Sequence, residues 1–529
     1  MKFRCLQAMV LGAVLVGVAQ AAPPKPAIEV RLKAVAELAP VVKYVAALMQ
    51  QEDAGTQYAG FIEAMAKDEN GFDGVDLTKP VGAYIGLAAA VEDSPVVLMV
   101  PVKNEKAILD ALKDKLNLDP KKGDGDVYSM DVPNVPGPVY LRFANDYAYL
   151  TIRTAKTIDK DKLIAPKDFF TEKTPAVLGV KVNFQEWPAD LRKTLVGQAE
   201  MQWNEYLRTL SSTPSQKLLN AFLGDVGIDA LKTVLADGET LGIKLDALPK
   251  SDDVKLSVRL GAKSGSTLAK TLEGFAAREV LSANALQGPA QLGLQFRTPP
   301  ETTKKVVKLV DEVFSRYTKD TEASTTAVFD VFLEAVKPLL KTGDIQLGAG
   351  LPLNTGKTPN VAVWMKTDEG EKLRRFIQLM GLGATAQGAA KFEYMKAKVA
   401  DYYLHNMTFT QTPTSVVELN PLWIATSENN TVFRTGDSEK LLRGWAKEAK
   451  PLSMPMLSLK VETAELLPLI LSSVPVDQRT AIIKKAFGED AKGKDTASLT
   501  AQGGKEFQLD LSVKGKVISL ITLSRAHAH

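Results

Sequence analysis

The sequence predicts an α+β protein made of two tandem similar halves, each an antiparallel sheet with helices packed on it. Three observations lead there. A strand–helix–helix–strand–strand pattern reads four times along the 529 residues. The first and third passes carry an extra group of short strands, so long and short passes alternate. Short sequence echoes recur between passes in the same order.

The first pass opens with Ile28-Glu-Val-Arg-Leu32, a period-two strand. Helical spacing follows over Val35–Met49 and Tyr58–Met65, with Gly71 and Gly74 as stop signals. Val81–Leu87 and Val96–Val102 then read as strands around a turn at Glu92-Asp93. The inserted strands are Tyr128–Val132, Tyr140–Phe143 and Ala148–Ile152. The second pass runs from a strand at Val177–Phe184 through a helix begun by Pro188 and another over Leu218–Leu223. It closes with strands Leu241–Leu245 and Val254–Leu260.

The third pass opens at Gln291–Phe296, with helices near Glu301–Tyr317 and Val328–Leu340. Val306, Leu309, Val310 and Val313 share one face of the first of these, opposite Lys304, Lys305 and Lys308. Strands follow at Ile345–Leu347 and Val361–Met365, then an insertion at Phe392–Met395, Met407–Thr410 and Trp423–Ala425. The fourth pass takes Met456–Val461 as its strand and starts helices at Ala464 and Gln478. Strands at Ser498–Ala501, Phe507–Val513 and Val517–Leu523 end it.

Leu32-Lys33 leading to Ala36-Glu37-Leu38-Ala39-Pro40 is echoed by Leu459-Lys460 leading to Ala464-Glu465-Leu466-Leu467-Pro468. Gly74-Val75-Asp76 is echoed by Gly227-Ile228-Asp229, each expected between a second helix and the next strand. The expected organisation is a first half over residues 22–287, with units near 27–153 and 176–287. A second half spans 288–529, with units near 288–435 and 455–525.

Residues 1–21 have the pattern of a secretory signal peptide. Lys2 and Arg4 precede an apolar run from Leu6 to Val18, and Ala19-Gln20-Ala21 is a small-x-small cleavage signal. The run is shorter than the roughly 20 residues of a membrane span. Cleavage after Ala21 removes Cys5, the one cysteine, so the mature chain has no disulfide framework. It also lowers the formal charge from +3 to +1 by removing Lys2 and Arg4. Acidic and basic residues are interspersed, with no basic stripe for nucleic acid. The expectation is an exported protein of the periplasm, cell surface or medium, with no transmembrane helix in the mature chain.

No constellation of catalytic, cofactor-binding or metal-ligating residues stands out. The histidines are His405, inside an expected hairpin, and His527 and His529 at the C-terminus, too few for a closed metal site. Gly350 to Thr358 resembles a P-loop but has five residues between its glycines, and it leads into a strand rather than a phosphate-holding helix. Lys263-Ser264-Gly265 and Lys341-Thr342-Gly343 resemble one element of serine enzymes with a lysine base, without the companion Ser-x-x-Lys. Helix capping explains the first better. A basic residue followed by Asn, Ser or Thr stands where strands hand over to helices, at Asn104, Ser264, Thr298, Thr367 and Thr435. Thr298 with Glu301 has the spacing of a capping box. Asp76 and Asp229 read as turn or cap residues, and Trp364 and Trp423 as core.

The signal peptide, the cysteine-free mature chain and the repeated α+β units together resemble uncharacterised exported bacterial proteins of unknown function. That resemblance implies no activity, cofactor or site. The expected function is a non-enzymatic binding or scaffolding protein of the bacterial envelope, whose partner is an envelope protein or a small apolar ligand. One alternative is a carrier of an apolar small molecule or lipid, marked by a dry cavity around Leu38, Val41 and Val45 or around Val306 and Val310. The other is a hydrolase built from carboxylates and lysines alone, marked by a close pair of carboxylates, one held protonated.

Overall fold

The computed structural model describes residues 25–527 apart from 69–71, 173–174, 212, 320–322, 354–358, 412–416, 437–438, 468–470, 472–473 and 489–490. The expected signal peptide lies outside the described residues. The chain is α+β and its sheet pairings are antiparallel throughout the ladders described below. It divides into two compact units. One takes in residues up to 200, 234–262 and 514–522, and the other 201–233, 263–513 and those from 523 on.

The first unit begins β1 (Ile28–Leu32), α1 (Val35–Leu48), α2 (Glu52–Lys67), β2 (Val81–Ile85), β3 (Val96–Pro101) and α3 (Glu105–Leu116). A group of short strands follows: β4 (Lys121–Lys122), β5 (Val127–Met130), β6 (Val139–Ala144) and β7 (Tyr147–Ile152), then the single turn α4 (Pro166–Phe169). β8 (Leu178–Asn183), β9 (Gly238–Leu248) and β10 (Asp253–Ala262) complete its strands; between β8 and β9 the chain runs through α5 (Ala189–Thr209) and α6 (Pro214–Asp237), of which residues 201–233 belong to the second unit. Across the sheet the order is β4-β5-β6-β7-β3-β2-β1-β8-β9-β10.

The second unit adds α7 (Thr267–Gly274), β11 (Arg278–Val280), β12 (Ala290–Arg297), α8 (Pro300–Lys319), α9 (Ala323–Thr342), β13 (Asp344–Gly350), β14 (Ala362–Lys366) and α10 (Gly370–Ala386). Its hairpins are β15 (Ala390–Val399) with β16 (Tyr402–Phe409) and β17 (Leu422–Thr426) with β18 (Asn430–Thr435). Then come α11 (Glu439–Glu448), β19 (Leu452–Met454), β20 (Leu457–Glu462), α12 (Val476–Phe487), β21 (Thr496–Gln502), β22 (Glu506–Lys514) and α13 (Gly515–His527), of which residues up to 522 belong to the first unit. The order across this sheet is β15-β16-β17-β18-β14-β13-β12-β20-β21-β22. β11 and β19 form a separate two-stranded ladder.

Dry cores form where a helix immediately follows its strand. α3 is capped by Asn104, whose side-chain oxygen accepts the Ala107 amide at 3.1 Å, and it ends at Asn117 in the left-handed region. Its Leu109, Leu112 and Leu116 pack on Leu141, Val139 and Ala148 of the sheet. The other face of those strands holds Val97, Met99 and Tyr149, all fully buried, under Ile158, Phe169 and Phe170. In the second unit α10 lays Leu373 and Ile377 against Ile424 and Phe433. Opposite it, α11 covers Trp364, Leu404 and Ala425 with Leu442, Ala446 and Trp445. The Trp364 and Trp445 rings meet edge to face, 4.0 Å between centroids.

Four expectations are corrected. Gly227-Ile228-Asp229 lies inside α6, which runs on to Asp237, so Asp229 is not the counterpart of Asp76 in a turn. Asp229 instead pairs with Lys305 at 2.6 Å. Val517–Leu523 is helical, within α13. Among the described residues, Asn104 is the expected cap whose side chain accepts a helix amide. Ser266, not Ser264, caps α7; the Thr298 hydroxyl meets that of Thr303 at 2.6 Å; Thr435 serves Val361 and Glu418; and Glu369, not Thr367, precedes α10. Finally, the chain from Ala464 to Leu466 is a turn rather than a helix start, and Pro468 lies outside the described residues.

Candidate functional site

Each unit carries a grid of aliphatic side chains on four neighbouring strands. In an antiparallel ladder, directly opposed residues share a face and their Cβ atoms lie about 5 Å apart. On β1, β8, β9 and β10 the opposed rows are Ile28–Val182–Leu241–Leu260, Val30–Val180–Ile243–Val258 and Leu32–Leu178–Leu245–Leu256. On β12, β20, β21 and β22 they are Ala290–Val461–Ala497–Val513, Leu292–Leu459–Leu499–Leu511 and Leu294–Leu457–Ala501–Leu509. No polar side chain interrupts either grid. The alternate residues of the same strands, Glu29, Arg31, Lys181, Lys244 and Arg259 in the first unit and Lys460, Ser498 and Asp510 in the second, are polar and face the other way.

Most grid side chains are only partly buried. No residue of the first is buried, and Leu245 is 41% exposed. In the second only Ala501 is buried, while Leu292 and Leu459 are each 38% exposed. In β1 and β10 the buried side chains are the charged Glu29 and Asp253. Glu29 is held by Arg31 at 2.6 Å, Asn183 at 3.3 Å and Lys181 at 3.6 Å. The helix faces named by the carrier hypothesis are no drier. α1 approaches β9, yet Leu38 and Val41 are half-buried and Val45 is exposed, as Val306 and Val310 of α8 are half-buried. An open groove of about 620 Å³ beside α8 is lined by Thr303, Lys304, Lys308, Asp311, Glu312 and Lys341, with Val307 its one aliphatic residue. Most of its lining residues are polar or charged, with aliphatic stems facing the groove, and it shares no residue with the grid.

The titratable clusters are structural in their geometry. His405 is fully buried in β16; its Nδ1 accepts the Met395 amide at 3.1 Å, which leaves Nε2–H to donate to Thr426 at 3.1 Å. Burial, with Arg374 nearby, lowers its pKa to about 4, so the ring is neutral. Asp344 meets Lys366 at 2.9 Å and Arg278 at 2.9 Å. Burial alone would raise its pKa, but the Lys366 hydrogen bond and the Arg278 charge outweigh it and the carboxyl is more acidic than usual. Asp253 follows the same pattern with Ser251 and Lys514, and Asp76, in a turn, with Thr78. Among the described residues, every carboxylate whose acidity departs from the ordinary range is made more acidic. A general acid needs the opposite.

The remaining sequence candidates also find structural places. Lys341-Thr342-Gly343 ends α9, with Gly343 at φ +63°, the usual left-handed stop. Leu353 and Pro359 pair across the P-loop-like segment, whose centre lies outside the described residues, and β13 and β14 form a hairpin there. Trp203 packs in the α5–α6 hairpin so closely that any side chain at Gly224 would collide with its indole. His527 ends α13, and His529 lies outside the described residues. Among the described residues no group of metal-ligating side chains converges, and no helix is long and apolar enough to cross a membrane. Sequence alternation marked each strand of the grids, but not that the grids stand open. Burial there depends on what covers the face.

No protein-family model, curated protein or solved structure matches this chain.

Proposed function

We propose that the protein is an exported, non-enzymatic binding protein of the bacterial envelope, made of two tandem halves, and that it holds an apolar ligand against its aliphatic grids. The partly exposed aliphatic grids carry this proposal. Burying a half-exposed Leu or Ile contributes on the order of 1 kcal/mol, so a chain-like apolar ligand spanning several rows gains enough to bind. Contiguous apolar surface of this kind marks interaction sites in soluble proteins. The tandem halves rest on strand order: across each sheet, ten strands follow one another in the same chain sequence. Export rests on residues 1–21 and on the absence of cysteine after them.

A scaffolding role is favoured by a different observation. Tyr58 at 63% and Met201 at 64% exposure place large apolar side chains on the exposed faces of helices, and Met49, just past α1, is 55% exposed. The hydrolase alternative lacks a carboxyl held protonated among the described residues.

Native mass spectrometry of the exported protein separates the two binding roles. A small-molecule adduct released on activation, and absent from an Ile243→Asp/Leu459→Asp variant, is expected. A stoichiometric protein companion that survives the double substitution would replace the ligand role by scaffolding. Failure of the wild-type chain to take up an apolar fluorophore such as N-phenylnaphthylamine would overturn the ligand role.

A further inference from the structure

The second unit buries three hydrogen-bond donors side by side and gives none of them an acceptor. Asn406 on β16, Trp423 on β17 and Arg434 on β18 form one cross-strand row. They are 6%, 5% and 8% exposed. The Asn406 amide nitrogen, the Trp423 indole nitrogen and the Arg434 Nε are buried with no hydrogen-bond partner among the described residues. The Asn406 oxygen accepts from the Thr408 hydroxyl at 3.2 Å, with the NH2 as the end left unpaired.

Charge completes the pattern. Arg434 has no carboxylate partner among the described residues, and burial alone weakens its hold on its proton. Lys396 places its ammonium 4.8 Å from the centre of the Trp423 ring. Of the acids nearby, Glu393 is tied to Lys396 at 2.8 Å, and Glu418 lies beside Asn360 at Gly436. Buried arginine is normally paired, because an unpaired buried charge is costly. Asn360 stands two residues before Ala362, the β14 neighbour of Arg434. It adds a buried amide oxygen without a donor.

We propose that Arg434, Trp423 and Asn406 form a binding site for an oxyanion, a carboxylate or phosphate group, with Lys396 contributing charge. Such a group offers several lone pairs to three neighbouring N–H donors and neutralises the guanidinium. A protonated oxygen or hydroxyl on it suits the Asn360 acceptor, which favours hydrogen phosphate over a simple carboxylate. The row lies on the face of the sheet opposite the aliphatic grid: Arg434 and Ala362 align with Gly350 and Gln291, whereas Leu292 is on the other side. The two sites share no residue, so failure of one leaves the other standing.

The test is thermal unfolding of the full mature chain in inorganic phosphate or acetate, against chloride at matched ionic strength. A saturable rise in Tm with phosphate, accompanied by a change in tryptophan emission that a Trp423→Phe variant lacks, is expected. Arg434→Met binds at least ~10-fold more weakly, as for loss of a charged donor. Asn406→Asp places a carboxylate inside the site; it raises Tm in phosphate-free buffer and abolishes the phosphate effect. That variant decides the matter even if Arg434→Met does not fold. Equal Tm in all three salts would mean that water alone fills the site and would overturn the proposal. So would a phosphate effect that persists in Asn406→Asp and Arg434→Met.

Discussion

The strands β2, β3, β6 and β7 and the strands β1, β8, β9 and β10 belong to one sheet and are comparably rich in aliphatic residues, yet their burial differs. Val97, Met99 and Tyr149 are fully buried, while Val30, Val180, Ile243 and Val258 are only half-buried. The second unit repeats the contrast between Trp364, Leu404 and Ala425 on one side and Leu292 and Leu459 on the other. The difference lies in the cover. α3 and α10 pack directly on the strands beside them, and the segment around Phe169 and the helix α11 close the opposite faces. The aliphatic grids are less completely buried among the described residues. An alternating strand thus supplies a surface that becomes core only where a second layer is laid on it.

Truncation in each region gives the strongest test of this contrast. Leu404→Ala, at a fully buried site, is expected to cost about 2–5 kcal/mol in denaturant unfolding. Ile243→Ala in the grid is expected to cost less than half of that. Equal costs would mean that the grid is covered in solution and would break the contrast.

The pH dependence of the dry region comes next. His405 has a folded pKa of about 4 against an ordinary 6.5. The unfolded chain binds the extra proton between these values, so stability is fully present above about pH 6.5 and is lost as pH falls towards 4. The expected loss is about 3 kcal/mol. His405→Gln should flatten that part of the pH–stability curve, and an unchanged curve would refute the buried neutral ring.

Smaller effects sharpen the account of the covers. Asn104→Ala removes the cap of α3 and is expected to cost about 1 kcal/mol, read from the urea midpoint. Leu459→Ser in the open grid should change stability by less than about 1 kcal/mol while lowering apolar-fluorophore uptake. A large loss of stability with uptake unchanged would place the ligand elsewhere.

Particular elements mark the limit of what was legible. Ile28-Glu-Val-Arg-Leu32 announced both its strand and its two faces, because period-two alternation is a local property. Val517–Leu523 misled. Its β-branched run has strand propensity, but Asp252 receives the Gly515 and Lys516 amides at 2.9 and 3.3 Å and starts a helix there. Gly227 misled for the converse reason: a glycine inside a long helix costs only about 1 kcal/mol, and the rest of α6 carries it. The donor row of Asn406, Trp423 and Arg434 left no trace, since its members are far apart in sequence and meet only through strand pairing.

By itself the sequence determined the class of the fold, the faces of the strands, most of the helices and the order in which they come. Those follow from side-chain periodicity and from turn chemistry, which act within a few residues. Tertiary structure alone decided which aliphatic faces became core, which stayed open, and which polar side chains were buried together. These depend on the packing of segments distant in the chain, because burial belongs to a pair of surfaces and not to either one.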